Sequence, residues 1–397
     1  SMVDIDDIRV WKWDAGMADL GAYTSFLESL VPDVAPYSYL SPRWSDVYVW
    51  KRVARIELEN LLNLSFFNLY RGTPFNSTVK HVFDFHTTTM EWFSYDMPFG
   101  PRTEGFLIYP KNVKEKLPLI IALHDHGGFK FYGKEKVCRI ENEPQILRLF
   151  KERYYDGRNL ASELAQQGFA VLAIDVFLFG SRKIDIGTTG NKISNREEQN
   201  HIDLDRFIEE YNKIAVDLEA IAAKTFITLG LTLAGAIVFE DMRSIDFITA
   251  VQRDIIDTTR IGCIGLSGGG LRSILLSALD DRVKCTVVVG FMSTLKDMIG
   301  SHLKYHTWIL NIPRLAQYFD LPDIVSLHGP NPLLVQYATK DAIFPLQGQL
   351  NAHRKLEDIY KKMGFEGNYI GMFYDTPHKF DVRMQEDALH WLSKCLQ

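Results

Sequence analysis

The chain has 397 residues, enough for two or three average domains or for one α/β domain with additions. Its 46% hydrophobic and 24% charged residues give the composition of a globular enzyme, and a formal net charge of −6 gives nucleic acid no electrostatic foothold. The 4 cysteines, Cys138, Cys263, Cys285 and Cys395, are scattered without a CxxC pair, which argues against structural zinc and a disulfide framework and favours reduced thiols.

The opening SMVDIDDIRVWKW lacks the basic start and apolar core of a secretion signal. A cytoplasmic location is expected, with a removed leader as the alternative. Residues 1 to 80 mix aromatic residues with helical periodicity, as in VYVWKRVARIELENLLNLSFF, and predict a helical N-terminal extension. Its tryptophans, Trp11, Trp13, Trp44 and Trp50, suit packing or a subunit contact better than ligand stacking, so a homo-oligomer stays open.

From residue 81 the pattern changes, and 81–397 reads as the catalytic domain. HVFDFHTTTMEWFSYDM alternates loosely and RTEGFLIYP reads as a strand, so the two are expected to pair antiparallel. Short apolar runs follow: LPLIIALHDHGG, GFAVLAIDVF, RIGCIGLSGGG, VKCTVVVGF, NPLLVQYATKD and NYIGMFYDTPH. Strands buried on both faces read this way, and their alternation with helical stretches predicts an α/β fold: a mostly parallel sheet covered by helices on both faces. Chemistry should gather at the carboxyl ends of the strands.

Two segments exceed what the sheet needs, about 181–240 and 292–330, and are expected to form lids or pocket walls. Within the first, Thr225 to Phe239 is too short to span a bilayer comfortably and reads as a buried helix; no membrane partner is expected.

Ser267 lies between Gly265 and Gly269 in GCIGLSGGGLRS, after an apolar run and before helical spacing. Strand, turn and helix are the context a G-x-S-x-G nucleophile elbow requires. A glycine-rich phosphate loop is the plainer alternative, but the Lys-Ser/Thr ending and G-x-G-x-x-G spacing are missing.

A serine hydroxyl needs a base, and the base needs an orienting acid. In the chain order serine, acid, histidine, Asp341 follows PLLVQYAT and His378 follows NYIGMFY. Asp375 is the rival acid, while His353 and His390 sit in helical patterns and read as structural. HDHGG follows the first parallel strand, where backbone N–H groups of His126 or Gly127 would join that of Gly268 in an oxyanion hole. His124, Asp125 and His126 could instead begin a metal site, but no further ligands stand at useful spacing, so no metal or cofactor is expected. Asp175, ending the GFAVLAID strand, is expected to hydrogen-bond turn backbone.

On these residues the chain resembles the α/β-hydrolase superfamily, most closely the dienelactone-hydrolase-like and acetyl-xylan-esterase-like bacterial esterases. The resemblance spans roughly residues 80 to 395 and rests on HDHGG, FEDMRSIDFI before RIGCIGLSGGG, and LPDIVSLHGPNPLLVQYATKDAIFP leading to PHKF. It implies a serine esterase with Ser267 as nucleophile, His378 as base then acid, Asp341 as orienting carboxylate, and a hole built from Gly268 with His126 or Gly127. The expected substrate is a short-chain acyl ester, such as an acetyl ester, of a carbohydrate or other small molecule. Lactone hydrolysis, a prolyl-oligopeptidase-like peptidase and a non-catalytic binding protein are the alternatives. Two departures stand out: Asp125 occupies a glycine position of H-G-x-G, and Ala338-Thr339 stand where a glycine often precedes the acid.

Overall fold

The structure is a computed structural model that describes residues 20–187, 203–251 and 254–397. Trp11, Trp13 and residues 188–202 of the first expected insertion lie outside the described residues.

Nine strands form one sheet: β1 (Thr78–Asp84), β2 (Thr88–Tyr95), β3 (Thr103–Pro110), β4 (Leu117–Leu123), β5 (Ala170–Ile174), β6 (Ile256–Leu266), β7 (Val283–Val289), β8 (Leu333–Ala338) and β9 (Tyr369–Tyr374). Their spatial order is β1-β2-β3-β5-β4-β6-β7-β8-β9. Pairing is antiparallel from β1 to β5 and parallel from β5 to β9. The six apolar runs read from the sequence are β4 to β9. The stretch starting at His81 is not one strand but a hairpin, because β1 and β2 turn back on each other between Asp84 and Thr88. That turn has neither glycine nor proline, so nothing in its composition announced it.

The longer helices among the described residues are α1 (Val47–Leu62), α2 (Gln145–Tyr155), α3 (Leu160–Gln166), α4 (Leu204–Thr228), α5 (Leu233–Val251), α6 (Gly268–Leu279), α7 (Leu346–Met363) and α8 (Val382–Leu396). Side chains alternate across a strand, so each central strand feeds two cores. Leu119, Ile121 and Leu123 of β4 pack with α1, α5, α6 and α7 on one face. Ile120 and Ala122 pack with α2, α3 and α8 on the other. Local signals start and stop the helices: Asp46 caps α1 by accepting from Tyr48 N at 2.9 Å, and Asp381 caps α8 by accepting from Met384 N at 2.9 Å. Gly364 ends α7 with φ +83°.

Helix α1 of the N-terminal segment packs into the sheet's own core. Trp50, Ala54 and Leu58 of α1 are fully buried in the same core as β4 and α5. Thr225 to Phe239 is not one buried helix either: α4 ends at Thr228, Gly230 takes φ +77°, and the buried α5 begins at Leu233. A glycine at positive φ ends a helix, which is why the apolar run bends there. Among the described residues no single helix is long and apolar enough to cross a membrane; α4 and α5 meet that test only as a pair bent by 96°.

Candidate active site

Because β4, β6, β7, β8 and β9 are contiguous and parallel, the residues just past their carboxyl ends share one edge of the sheet. His124 to Gly128 follow β4, Ser267 follows β6, Gly290 follows β7, Asp341 follows β8 and His378 follows β9.

Ser267 has φ +56° and ψ −117°, a backbone state that costs on the order of 1–3 kcal/mol and persists only when its surroundings impose it. Those surroundings are tight. A Cβ on Gly265 would fall 2.2 Å from Gly269 O, and one on Gly269 would fall 2.2 Å from Leu123 O. The turn therefore needs hydrogen at both positions. Ser267 N–H donates to Val289 O at 2.8 Å, locking the serine against the end of β7.

His378 lies against Gly290, the residue after Val289, its Cε1 3.5 Å from where a Cβ on Gly290 would stand. Its Nδ1 meets Asp341 Oδ2 at 2.5 Å, while Asp341 Oδ1 accepts from Ile343 N at 2.9 Å. The acid and histidine loops are tied by backbone bonds, Thr339 N to Tyr374 O at 2.9 Å and Lys340 N to Thr376 O at 3.1 Å. Gln349 of α7 donates to Ala338 O and Phe344 O, bracing both ends of the acid loop. Burial disfavours a charged imidazole, but the Asp341 charge and hydrogen bond, with a smaller contribution from Asp125, outweigh it and hold His378 above the usual histidine value. Asp375 stands apart: its side chain is exposed and pairs with Lys340 at 3.0 Å. His353 bonds Tyr369 OH at 2.7 Å and His390 is exposed at the surface.

The loop after β4 closes on the serine turn. A Cβ on Gly268 would come 2.9 Å from His126 N, so these two backbones are in contact. His126 N–H donates to no protein acceptor among the described residues, and Gly268 N–H, first in α6, has no acceptor within its helix. Gly127, at φ +56°, has no room for a side chain, since its Cβ would meet Asp125 Oδ2 at 2.6 Å. Asp125 itself turns away into the interior, where Tyr155 OH donates to it at 2.5 Å and Lys136 Nζ lies 3.6 Å off. The departure from H-G-x-G thus serves the back of the loop.

His126 is fully engaged as a side chain. Gly128 N–H donates to Nδ1 at 3.0 Å, which puts the proton on Nε2 for Glu219 Oε1 at 2.7 Å. Burial holds His126 below its ordinary pKa despite Glu219. Glu219, on α4, also accepts from Thr307 Oγ1 at 3.1 Å and Trp308 N at 3.3 Å. Burial would raise its pKa, but His126 and Lys130 hold it well below the ordinary carboxylate range. His306 Nε2 donates to Ile343 O at 2.7 Å beside the acid loop. The two expected insertions therefore reach the site through Glu219 and His306. Neither was visible as a functional residue in the sequence, because no spacing links them to the strand ends.

Asp175 does hold its turn, accepting from Lys134 N at 2.8 Å and Ser181 N at 2.9 Å, and it also pairs with the buried Lys134 ammonium at 2.9 Å.

A mostly parallel sheet covered on both faces, with a serine elbow after one strand and an acid–imidazole pair after two others, defines the α/β-hydrolase fold, and this chain has it. Residues 232–397 match the model of the prolyl oligopeptidase family. The chain is similar to "Putative hydrolase YtaP" of Bacillus subtilis (strain 168), 24% identical over 304 residues, 76% of this chain and 86% of the relative. Among solved structures it is similar to a "putative acetyl xylan esterase" of Bacteroides fragilis NCTC 9343, with a TM-score of 0.65 at 14% identity, covering 90% of this chain and 83% of the other. A glucuronoyl esterase of Solibacter usitatus superposes with a TM-score of 0.58 at 14% identity, covering 93% and 100%.

Proposed function

We propose that the chain is a serine-dependent carboxylic-ester hydrolase that works through an acyl-enzyme on short acyl esters of a carbohydrate or a related small molecule. Two observations support this reading: the 2.5 Å pair of His378 Nδ1 with Asp341 Oδ2, and Ser267 in a strained strand-to-helix turn at the same edge of the sheet. With Nδ1 committed to Asp341, Nε2 is the nitrogen left to take the Ser267 proton as Oγ attacks the ester carbonyl. The oxyanion of the tetrahedral intermediate would accept from Gly268 N–H and His126 N–H, and His378 would return the proton to the leaving alcohol. Water repeats the sequence to free the acid. The ester class draws on the carbohydrate-esterase names of the similar folds.

A peptidase is the second reading, favoured by the match of residues 232–397 to the prolyl oligopeptidase model. Rates on p-nitrophenyl acetate, acetylated xylose, a methyl uronate, a lactone and an Xaa-Pro anilide separate these substrates. The esterase reading predicts turnover of the acetyl esters, labelling of Ser267 by a fluorophosphonate, and loss of both in Ser267→Ala. Only the contribution of the hole and of binding, about 10³- to 10⁴-fold over water, should survive that change. Wild-type protein that neither hydrolyses esters nor takes the label would be a binding protein on a hydrolase fold.

A further inference from the structure

Lys136 is fully buried behind the loop that follows β4, and its ammonium donates to three carbonyls of that loop: Asp125 O at 2.6 Å, Phe129 O at 2.9 Å and His126 O at 3.2 Å. A peptide unit is planar and trans, so its C=O and N–H point in opposite directions. The Asp125 carbonyl and the His126 N–H belong to one such unit. Drawing the oxygen onto Lys136 therefore turns the N–H the other way, on the side where the Gly268 backbone lies against this nitrogen. A charged donor on the carbonyl also polarises the unit, which makes its N–H a stronger donor.

We propose that Lys136 is a positioning residue of the oxyanion hole: its ammonium orients and polarises the Asp125–His126 peptide so that the His126 N–H meets the oxyanion. This rests on the serine-hydrolase reading above. Lys136 touches no substrate and acts through the backbone. It also explains why a glycine position of the loop can hold Asp125, whose carboxylate faces this same ammonium.

The charge on Lys136 is set by every group around it. Burial, and to a smaller extent the charges of Lys130 on the same loop and Arg272 on α6, push its pKa down while Asp125 opposes them, and together they leave it at about 8. His124 and His126, both held below the ordinary histidine pKa mainly by burial, and Tyr155, bonded to Asp125 from α2, also face this ammonium or its partner. The ammonium is the form that holds the carbonyls, so its contribution is present below pH 8 and fades as the pH rises through that value.

The test is kcat and KM for p-nitrophenyl acetate from about pH 6 to about pH 10, in wild type and Lys136→Met. Expected are a wild-type kcat that falls above about pH 8, and a variant with kcat lower by roughly 10- to 100-fold, KM within about twofold, and no such alkaline fall. A structural role alone would change melting temperature or KM and leave the pH profile as it was. A variant kcat within about twofold of wild type, or the same alkaline limb in both proteins, overturns the proposal. If Lys136→Met does not fold, Lys136→Gln is measured against the same criteria, and a wild-type kcat that stays flat to about pH 10 overturns the proposal by itself. Fluorophosphonate labelling separates the two ideas. Unlabelled wild type sinks the hydrolase reading, whereas labelled wild type with an unimpaired variant sinks only the role of Lys136.

Discussion

Asp341 acts on His378 in two ways: it fixes the ring through Nδ1 and it favours the protonated imidazole, the form that the proposed attack by Ser267 would generate. With the neutral ring as the proposed base, kcat/KM should rise with pH through the His378 pKa, with a midpoint above the ordinary value of 6.5. Asp341→Asn removes the charge, so that midpoint should move to lower pH while kcat drops by about 10³- to 10⁴-fold. A pH–rate profile of the variant that keeps the wild-type midpoint would show that Asp341 does not set the histidine. At this scale the sequence was informative where chain order constrains the answer. It paired His378 with Asp341 rather than with Asp375, which the structure leaves in solvent beside Lys340. It gave no reason to single out Lys136 or Glu219, since a buried cation and a buried carboxylate look like surface residues until the fold places them.

The elbow helix α6 is fastened by charge as well as by apolar packing. Arg272 forms a two-point pair with Asp241 of α5, Nε to Oδ2 at 3.0 Å and Nη2 to Oδ1 at 2.7 Å, and its Nη1 donates to His124 O at 3.0 Å. One side chain thus joins α5, α6 and the loop after β4. A buried pair costs little to replace whole but much to break, because the survivor is left charged in a dry site. Asp241→Asn should destabilise the protein by about 3–5 kcal/mol in urea unfolding, and replacing both partners, Arg272→Met with Asp241→Leu, should recover most of that loss. An Asp241→Asn loss under about 1 kcal/mol would mean that water reaches Arg272. Elements with a strong pattern were legible in the sequence: the continuous apolar runs of β4 to β9 and the helical periodicity of α7 and α8. The β1–β2 turn and the α4–α5 break were not, because one lacks turn residues and the other hides a single Gly230 in an apolar run.

In the whole molecule, strand order does the assembling. Five parallel strands side by side deliver the serine, acid, histidine and candidate donor loop to one edge, although they come from points more than two hundred residues apart in the chain. The additions then close on that edge: α4 through Glu219, and the segment after β7 through Thr307, Trp308 and His306. The sequence marked two segments, about 181–240 and 292–330, as longer than the sheet needs. It could not show where they land, because their contacts are single polar bonds without any repeat.

The proposed mechanism requires Ser267, His378, Gly268 N–H and His126 N–H to converge on one substrate carbonyl. A crystal structure of the protein after reaction with a fluorophosphonate reads this convergence directly. Expected is a bond from Ser267 Oγ to phosphorus, with the phosphoryl oxygen about 2.7–3.1 Å from both Gly268 N and His126 N and with His378 Nε2 facing Oγ. An adduct on another residue, or a phosphoryl oxygen pointing away from both nitrogens, would contradict it.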